Sequence, residues 1–189
     1  MESGYIEDGV KTRLLISGIN EIEEHGINDF SLRRAALGAQ VSCAAPYRHF
    51  KDKDEYINEI IKYIGSRLFL LCNEIKNIFK DDNRKLILEL SMANLRFWLA
   101  NSNYRSVLLH SPETGKTSND SRLMQFDTLI DEAVESYCRE CGLDDKAELK
   151  KYNLRTLIYG TVMLMSTGDY ETNEKNLATV KKIITEEFA

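Results

Sequence analysis

The chain has 189 residues, 43% of them hydrophobic and 29% charged, a balance that suits a folded soluble domain and excludes wholesale disorder. Ten glycines and two prolines are too few to turn a β-rich chain every 8–12 residues or so, which leaves an all-α class. A net charge of −5 excludes a uniformly basic nucleic-acid binder, and an acidic N-terminus without a long apolar run implies a cytoplasmic protein with no membrane partner.

In chain order, Ile6, Val10, Leu14, Leu15, Ile19 and Ile22 recur at helical spacing, so the first helix runs from Ile6 to His25 and stops at Gly26. Ser31 is placed to cap a short helix over Leu32–Leu37, ended by Gly38. Ser42 is placed to cap a second, from Cys43 to about Phe50. A longer helix followed by two short ones with a tight connection is a helix-turn-helix. Asp52 then opens a long helix through about Phe79. Its apolar positions Ile57, Ile61, Ile64, Leu68, Leu71, Ile75 and Ile78 alternate steps of four and three, predicting a heptad seam along a bundle.

The remaining helices are predicted over Lys85–Ala100, Asn103–His110, Ser121–Cys141, Lys146–Thr167 and Thr172–Phe188. The polar segment Pro112–Asp120 reads as a loop. The architecture is therefore about nine helices and no strand: a head over residues 1–51 and a helical effector-binding and dimerisation body over residues 52–189.

Charge is distributed unevenly. Residues 31–53 carry Arg33, Arg34, Arg48, Lys51 and Lys53 against Asp52 alone, a local +4 inside an acidic chain. That is the footprint of a phosphate-binding surface confined to the helix-turn-helix. Cys138 and Cys141 form a CxxC, yet no second pair and no nearby histidine completes a zinc set, so reduced thiols are expected and no metal. His25, His49 and His110 have no adjacent nucleophile or acid in a recognisable arrangement, and no phosphate-binding or HExxH motif occurs. The expectation is that the protein is not an enzyme and uses no cofactor.

The segment Ser31-Leu-Arg33-Arg-Ala-Ala36-Leu-Gly-Ala-Gln-Val41-Ser42-Cys-Ala-Ala-Pro-Tyr47-Arg-His49-Phe50-Lys-Asp-Lys53 resembles the signature of TetR-family transcriptional regulators. In that family S/T-x-R-x-I-A-x-x-x-G-V-S is followed by Y-x-H-F-x-x-K. Ser31, Arg33, Ala36, Val41, Ser42, Tyr47, His49, Phe50 and Lys53 match in register, and the Ala44-Ala45-Pro46-Tyr47-Arg48-His49-Phe50 run marks one subgroup. Leu95–Arg105 is similar to a segment of the regulatory domain in such a subgroup. Two departures stand out: Gln40 replaces the turn glycine, and Pro46 lies early in the recognition helix.

The resemblance implies a homodimeric, ligand-responsive regulator, most often a repressor, that binds a double-stranded DNA operator and pairs through its last two helices. Side-chain reach then assigns roles within the head. Ser31 and Ser42 lie at helix N-termini, where free N–H groups favour phosphate, and Arg34, Tyr47, His49 and Lys53 can reach further backbone oxygens. Cys43, Ala44, Ala45 and Arg48, with Arg33 from the preceding helix, face base edges; the small residues suit a thymine methyl, so hydrogen-bonded readout falls to the arginines.

In the body, Met92, Arg96, Phe97, Trp98, Tyr104, His110, Met124, Phe126, Tyr159 and Met163 are candidates to line a pocket for a small hydrophobic or aromatic effector. Ordinary core packing is the competing reading of each. Leu154, Leu157, Ile158, Leu177, Val180 and Ile184 are assigned to a four-helix dimer interface. The alternative to a regulator is a helical protein that binds a small molecule or a partner and whose head has lost specific operator binding, in keeping with Gln40 and the acidic first helix.

Overall fold

In the computed structural model the described residues are 3–101 and 122–189. They form eight α-helices and no strand: α1 (Ser3–His25), α2 (Leu32–Gly38), α3 (Pro46–His49), α4 (Lys53–Ile78), α5 (Asn83–Ala100), α6 (Arg122–Cys141), α7 (Ala147–Thr167) and α8 (Glu174–Glu187). A 3₁₀ turn over Asp144–Lys146 precedes α7. The short helix predicted at Asn103–His110 and the loop at Pro112–Asp120 lie outside the described residues. Among the described residues no helix is long and apolar enough to cross a membrane.

The chain divides into two compact units, and the division falls within α4, between Gly65 and Ser66. The N-terminal unit thus takes in the first half of α4, beyond the boundary predicted at residue 51, because Tyr56, Ile57, Ile60 and Ile64 are buried there. Its core combines Leu14, Ile19 and Ile22 of α1 with Phe30, Phe50 and Tyr56. The Tyr56 hydroxyl donates to the Leu14 carbonyl at 2.5 Å, tying α4 to α1. Gly18 makes the crossing possible: a Cβ there would lie 2.7 Å from Ile60 Cδ1 and 3.2 Å from Tyr56 Cε2. Lys11 closes the same pair of helices from the side, donating to Glu59 at 2.7 Å and, with Lys62, holding that carboxyl below its ordinary range.

The heptad predicted for α4 is not what the fold uses. The buried line is Tyr56, Ile60, Ile64, Leu68 and Cys72, at four-residue steps, with Ile57 beside it. Leu71 is 40% and Ile78 71% exposed. A helix packed inside one chain needs no 3.5-residue supercoil period, and its buried residues follow the natural helical repeat. Burial holds the Cys72 thiol protonated, up to about 12.

In the C-terminal unit α5 is central, touching α6, α7 and α8. Asp82 caps it by accepting from Lys85 N at 2.9 Å. Leu86, Ile87, Leu90, Met92, Leu95 and Trp98 are buried nearly all round it, as expected of a helix enclosed by others. Tyr137 meets Phe188 edge to face at 5.3 Å, which docks the end of α8 against α6. Arg155 pairs with Asp131 at 2.6 Å and Lys151 with Glu135 and Glu148, lacing α7 to α6. Glycines in the left-handed region close α6 at Gly142 and α7 at Gly168 (φ 65° and 84°).

Candidate nucleic-acid interface

The helix-turn-helix is α2, the turn that follows and α3. Ser31 caps α2 as its sequence position predicts, accepting from Arg34 N at 3.4 Å. The turn is made by Gln40, whose φ of 57° puts a non-glycine residue in the left-handed region. Gly38 does not take that role. It is the last residue of α2, and a Cβ there would fall 2.4 Å from Ser17 Oγ on α1. That hydroxyl donates in turn to the Ala35 carbonyl at 2.8 Å. Gly38 is a close-approach glycine, and the strain of the turn rests on Gln40.

The recognition helix is shorter than predicted. It begins at Pro46, not Cys43, and Ala45 rather than Ser42 is its N-cap. Proline has no N–H to donate, so the ladder cannot run back through it. Residues 43–45 instead form a turn closed by Ala45 N donating to the Ser42 carbonyl at 2.9 Å. Pro46 fits at the first helical position, where its missing N–H is not needed. Ala45 is consequently buried beneath the turn, which removes it from the base-reading set.

What remains outward is a contiguous surface: Ser42, Cys43 and Ala44 from the turn, Tyr47 (67% exposed) and Arg48 from α3, and Arg33 from α2. His49 is half-buried, its ring 6.2 Å from that of Phe50. Lys53 is held by the Asn28 carbonyl at 2.9 Å, which positions its ammonium at the start of α4. Arg34 is a correction. Its Nε donates to Glu21 Oε1 at 2.7 Å, and its Nη2 reaches the Asp29 carbonyl and, at 3.3 Å, the Asp29 carboxylate. Glu21 is buried and also accepts from Ser31 N at 3.1 Å. The hydrogen bond to Glu21 outweighs desolvation and keeps the Arg34 guanidinium charged. Arg34 therefore clamps α2 to α1, a role that sequence spacing did not reveal because Glu21 lies a full helix away.

The residues predicted for the body are not brought together in the same way. Met92 and Trp98 are buried and Phe97 half-buried, whereas Arg96, Tyr159 and Met163 are exposed. The residues Tyr104 and His110, and the side chains of Met124 and Phe126, lie outside the described residues. A shallow groove of about 260 Å³ occurs elsewhere, lined by Asp82, Arg84, Lys85, Leu88, Ile184, Thr185 and Phe188.

The predicted dimer contacts also need correction. Leu154, Ile158, Leu177, Val180 and Ile184 are buried within the protomer, where α7 and α8 meet the rest of their own bundle, and Leu157 is half-buried. The apolar face left outward on α7 is Leu149, Tyr152, Tyr159, Met163 and Leu164, with Ile183 exposed on α8. Gly160 lies on that α7 face with open space around it. The signal was present in the sequence: α7 is apolar on two sides, and one side had been counted.

No family model matches the chain, and no curated protein matches it by sequence. Solved structures do match. A transcriptional regulator of Pseudomonas aeruginosa superposes with a TM-score of 0.77 at 17% identity, over 93% of this chain and 88% of that one. FadR of Bacillus subtilis, in complex with stearoyl-CoA, gives 0.75 at 14% identity over 94% and 96%. A TetR-family regulator of Marinobacter aquaeolei gives 0.68 at 16% identity over 97% of each chain. The chain has the all-helical fold of the TetR-family transcriptional regulators.

Proposed function

We propose that this protein is a homodimeric, ligand-responsive DNA-binding regulator, most simply a repressor, whose α3 and preceding turn enter the major groove. The observation that carries the reading is the outward surface of the helix-turn-helix. Ser42, Cys43, Ala44, Tyr47 and Arg48 face solvent together with Arg33, inside the one segment of net positive charge. Arg33 and Arg48 have the reach and donor geometry to grip a guanine edge, and Ser42, Tyr47 and Lys53 suit phosphate oxygens.

Pairing through the exposed apolar face of α7 would give a two-fold dimer. Its heads must lie about 34–36 Å apart to enter successive major grooves. An effector bound in the body releases DNA if it prefers a conformation with another head spacing, through differential affinity alone. The stearoyl-CoA held by the Bacillus subtilis relative in fold supports a hydrophobic effector.

The test is binding to DNA from the protein's own upstream region across a salt series. Affinity is expected to fall with rising salt by the release of a few counterions, since the positive surface is small. Absence of binding at the lowest salt would defeat the regulator reading.

A further inference from the structure

We infer that Asn94 is the polar anchor of a ligand site inside the C-terminal body, and that its ligand is a small apolar molecule carrying one hydrogen-bond donor. Asn94 is 2% exposed, and its Oδ1 has no hydrogen-bond partner. Such an acceptor is costly to bury, so protein interiors almost always supply it with a donor. Here the surroundings cannot. Ile87, Leu90, Ser91, Asn94 and Trp98 share one side of α5 at helical spacing, and all are buried. The only neighbouring hydroxyl on that stripe, Ser91 Oγ, already donates to the Ile87 carbonyl at 2.6 Å.

A ligand O–H or N–H entering between α5 and the helices around it would satisfy Oδ1, while its apolar remainder replaced Leu and Trp contacts in kind. Because α5 touches α6, α7 and α8, any shift that admits the ligand is transmitted to the whole body. The site names the chemistry of the effector in the regulator reading and depends on that reading for its consequence, not for binding itself.

Trp98 is the only tryptophan of the chain, lies one turn beyond Asn94 and is 4% exposed, so its emission reports occupancy without any DNA. The full-length protein is titrated with p-cresol and with p-xylene, which differ by one hydroxyl in place of a methyl. Saturable change is expected with p-cresol at about tenfold lower concentration than with p-xylene. In Asn94→Leu that ratio is expected to fall to about one, with a thermal midpoint no lower than the parent's; Asn94→Ala repeats the comparison if the larger side chain is not accommodated. Equal response to the two probes, no saturable response to either, or a preference for p-cresol that survives in both variants overturns the inference. So does a lowered midpoint in Asn94→Leu, since that would mean Oδ1 had a partner to lose. Failure to bind DNA leaves these readouts untouched and counts only against the regulator reading.

Discussion

Phe50 and Tyr56 stack face to face, their ring centroids 4.0 Å apart and their planes within 6° of parallel. Phe50 is the residue that ends α3, and Tyr56 lies in the first turn of α4, so the stack fixes the recognition element to the long helix. Phe30 meets Tyr56 edge-on at 5.2 Å, and the Tyr56 hydroxyl reaches Leu14, which adds α1 to the same cluster. Phe50→Ala removes a ring that is 1% exposed and leaves a cavity at this junction. The expected loss is about 3–5 kcal/mol, read as a lower midpoint in urea unfolding, and any DNA affinity should fall with it.

The same cluster predicts a response to alkaline pH. Burial, and secondarily the charge of Glu21, raise the Tyr56 hydroxyl above its ordinary value near 10. A phenol raised in the folded state leaves stability intact below the unfolded value. Above roughly pH 10 the unfolded chain ionises first and stability declines. Wild-type protein should therefore lose stability progressively above that pH, and Tyr56→Phe should show a flatter decline. At neutral pH the variant should already be weaker by about 1 kcal/mol for the lost hydrogen bond. Parallel denaturation series at pH 7 and above pH 10 make the comparison; identical slopes would disprove the assignment.

Two residues of the turn should respond in opposite directions to substitution. Gln40 occupies φ 57°, which costs a side-chain residue about 1 kcal/mol relative to glycine, so Gln40→Gly is expected to stabilise by that amount. Gly38→Ala should destabilise although alanine is the better helix former, because its Cβ displaces Ser17 Oγ from the Ala35 carbonyl. The Ser17→Ala background removes the obstructing oxygen, so adding Gly38→Ala there should cost less than in the wild type. Thermal unfolding of the four proteins in that cycle decides it.

Adjacent arginines separate reading from clamping. Arg33→Ala should leave the unfolding midpoint unchanged and weaken binding to a cognate operator, with discrimination at one base pair reduced by about 1–3 kcal/mol. Arg34→Ala should lower the midpoint, since it strips the partner from the buried Glu21 carboxylate, and should affect DNA only through that loss. A stable Arg34→Ala protein with specifically impaired operator binding would return Arg34 to the DNA surface.

Much of this was legible in the sequence for a physical reason. Ser31 and Asp52 announce helix starts because a short oxygen-bearing side chain caps locally, and both do so here. Gly142 and Gly168 announce helix ends because only glycine enters the left-handed region cheaply. The failures are all tertiary. Ala45 reads as a helix-face residue until Pro46 is seen to shorten α3 and turn it inward. Leu154, Ile158, Val180 and Ile184 carry the right periodicity for an interface, but periodicity marks an apolar side without saying which neighbour covers it. Asn94 looks like an ordinary interruption in an apolar helix, and only its burial and empty acceptor distinguish it.

The outward face of α7 provides the last prediction. Tyr152, Tyr159 and Met163 recur at steps of seven and four residues, and each is about half or more exposed. They stand around Gly160, where nothing lies within 4 Å of an added Cβ. Exposed aromatic and methionine side chains around a small residue suit close approach of a second helix, and a two-fold axis through this face brings α7 against its own copy. Tyr152→Glu and Met163→Glu place charges where two copies would meet, and should convert a dimer into a folded monomer in sedimentation analysis without lowering helical content. Val180→Glu is the contrasting variant: Val180 is 6% exposed inside the protomer, so its substitution should unfold the body rather than merely divide the assembly. If the α7 variants remain dimeric, or the wild type is already monomeric at micromolar concentration, this face is not the dimer contact and the two heads must be paired by other means.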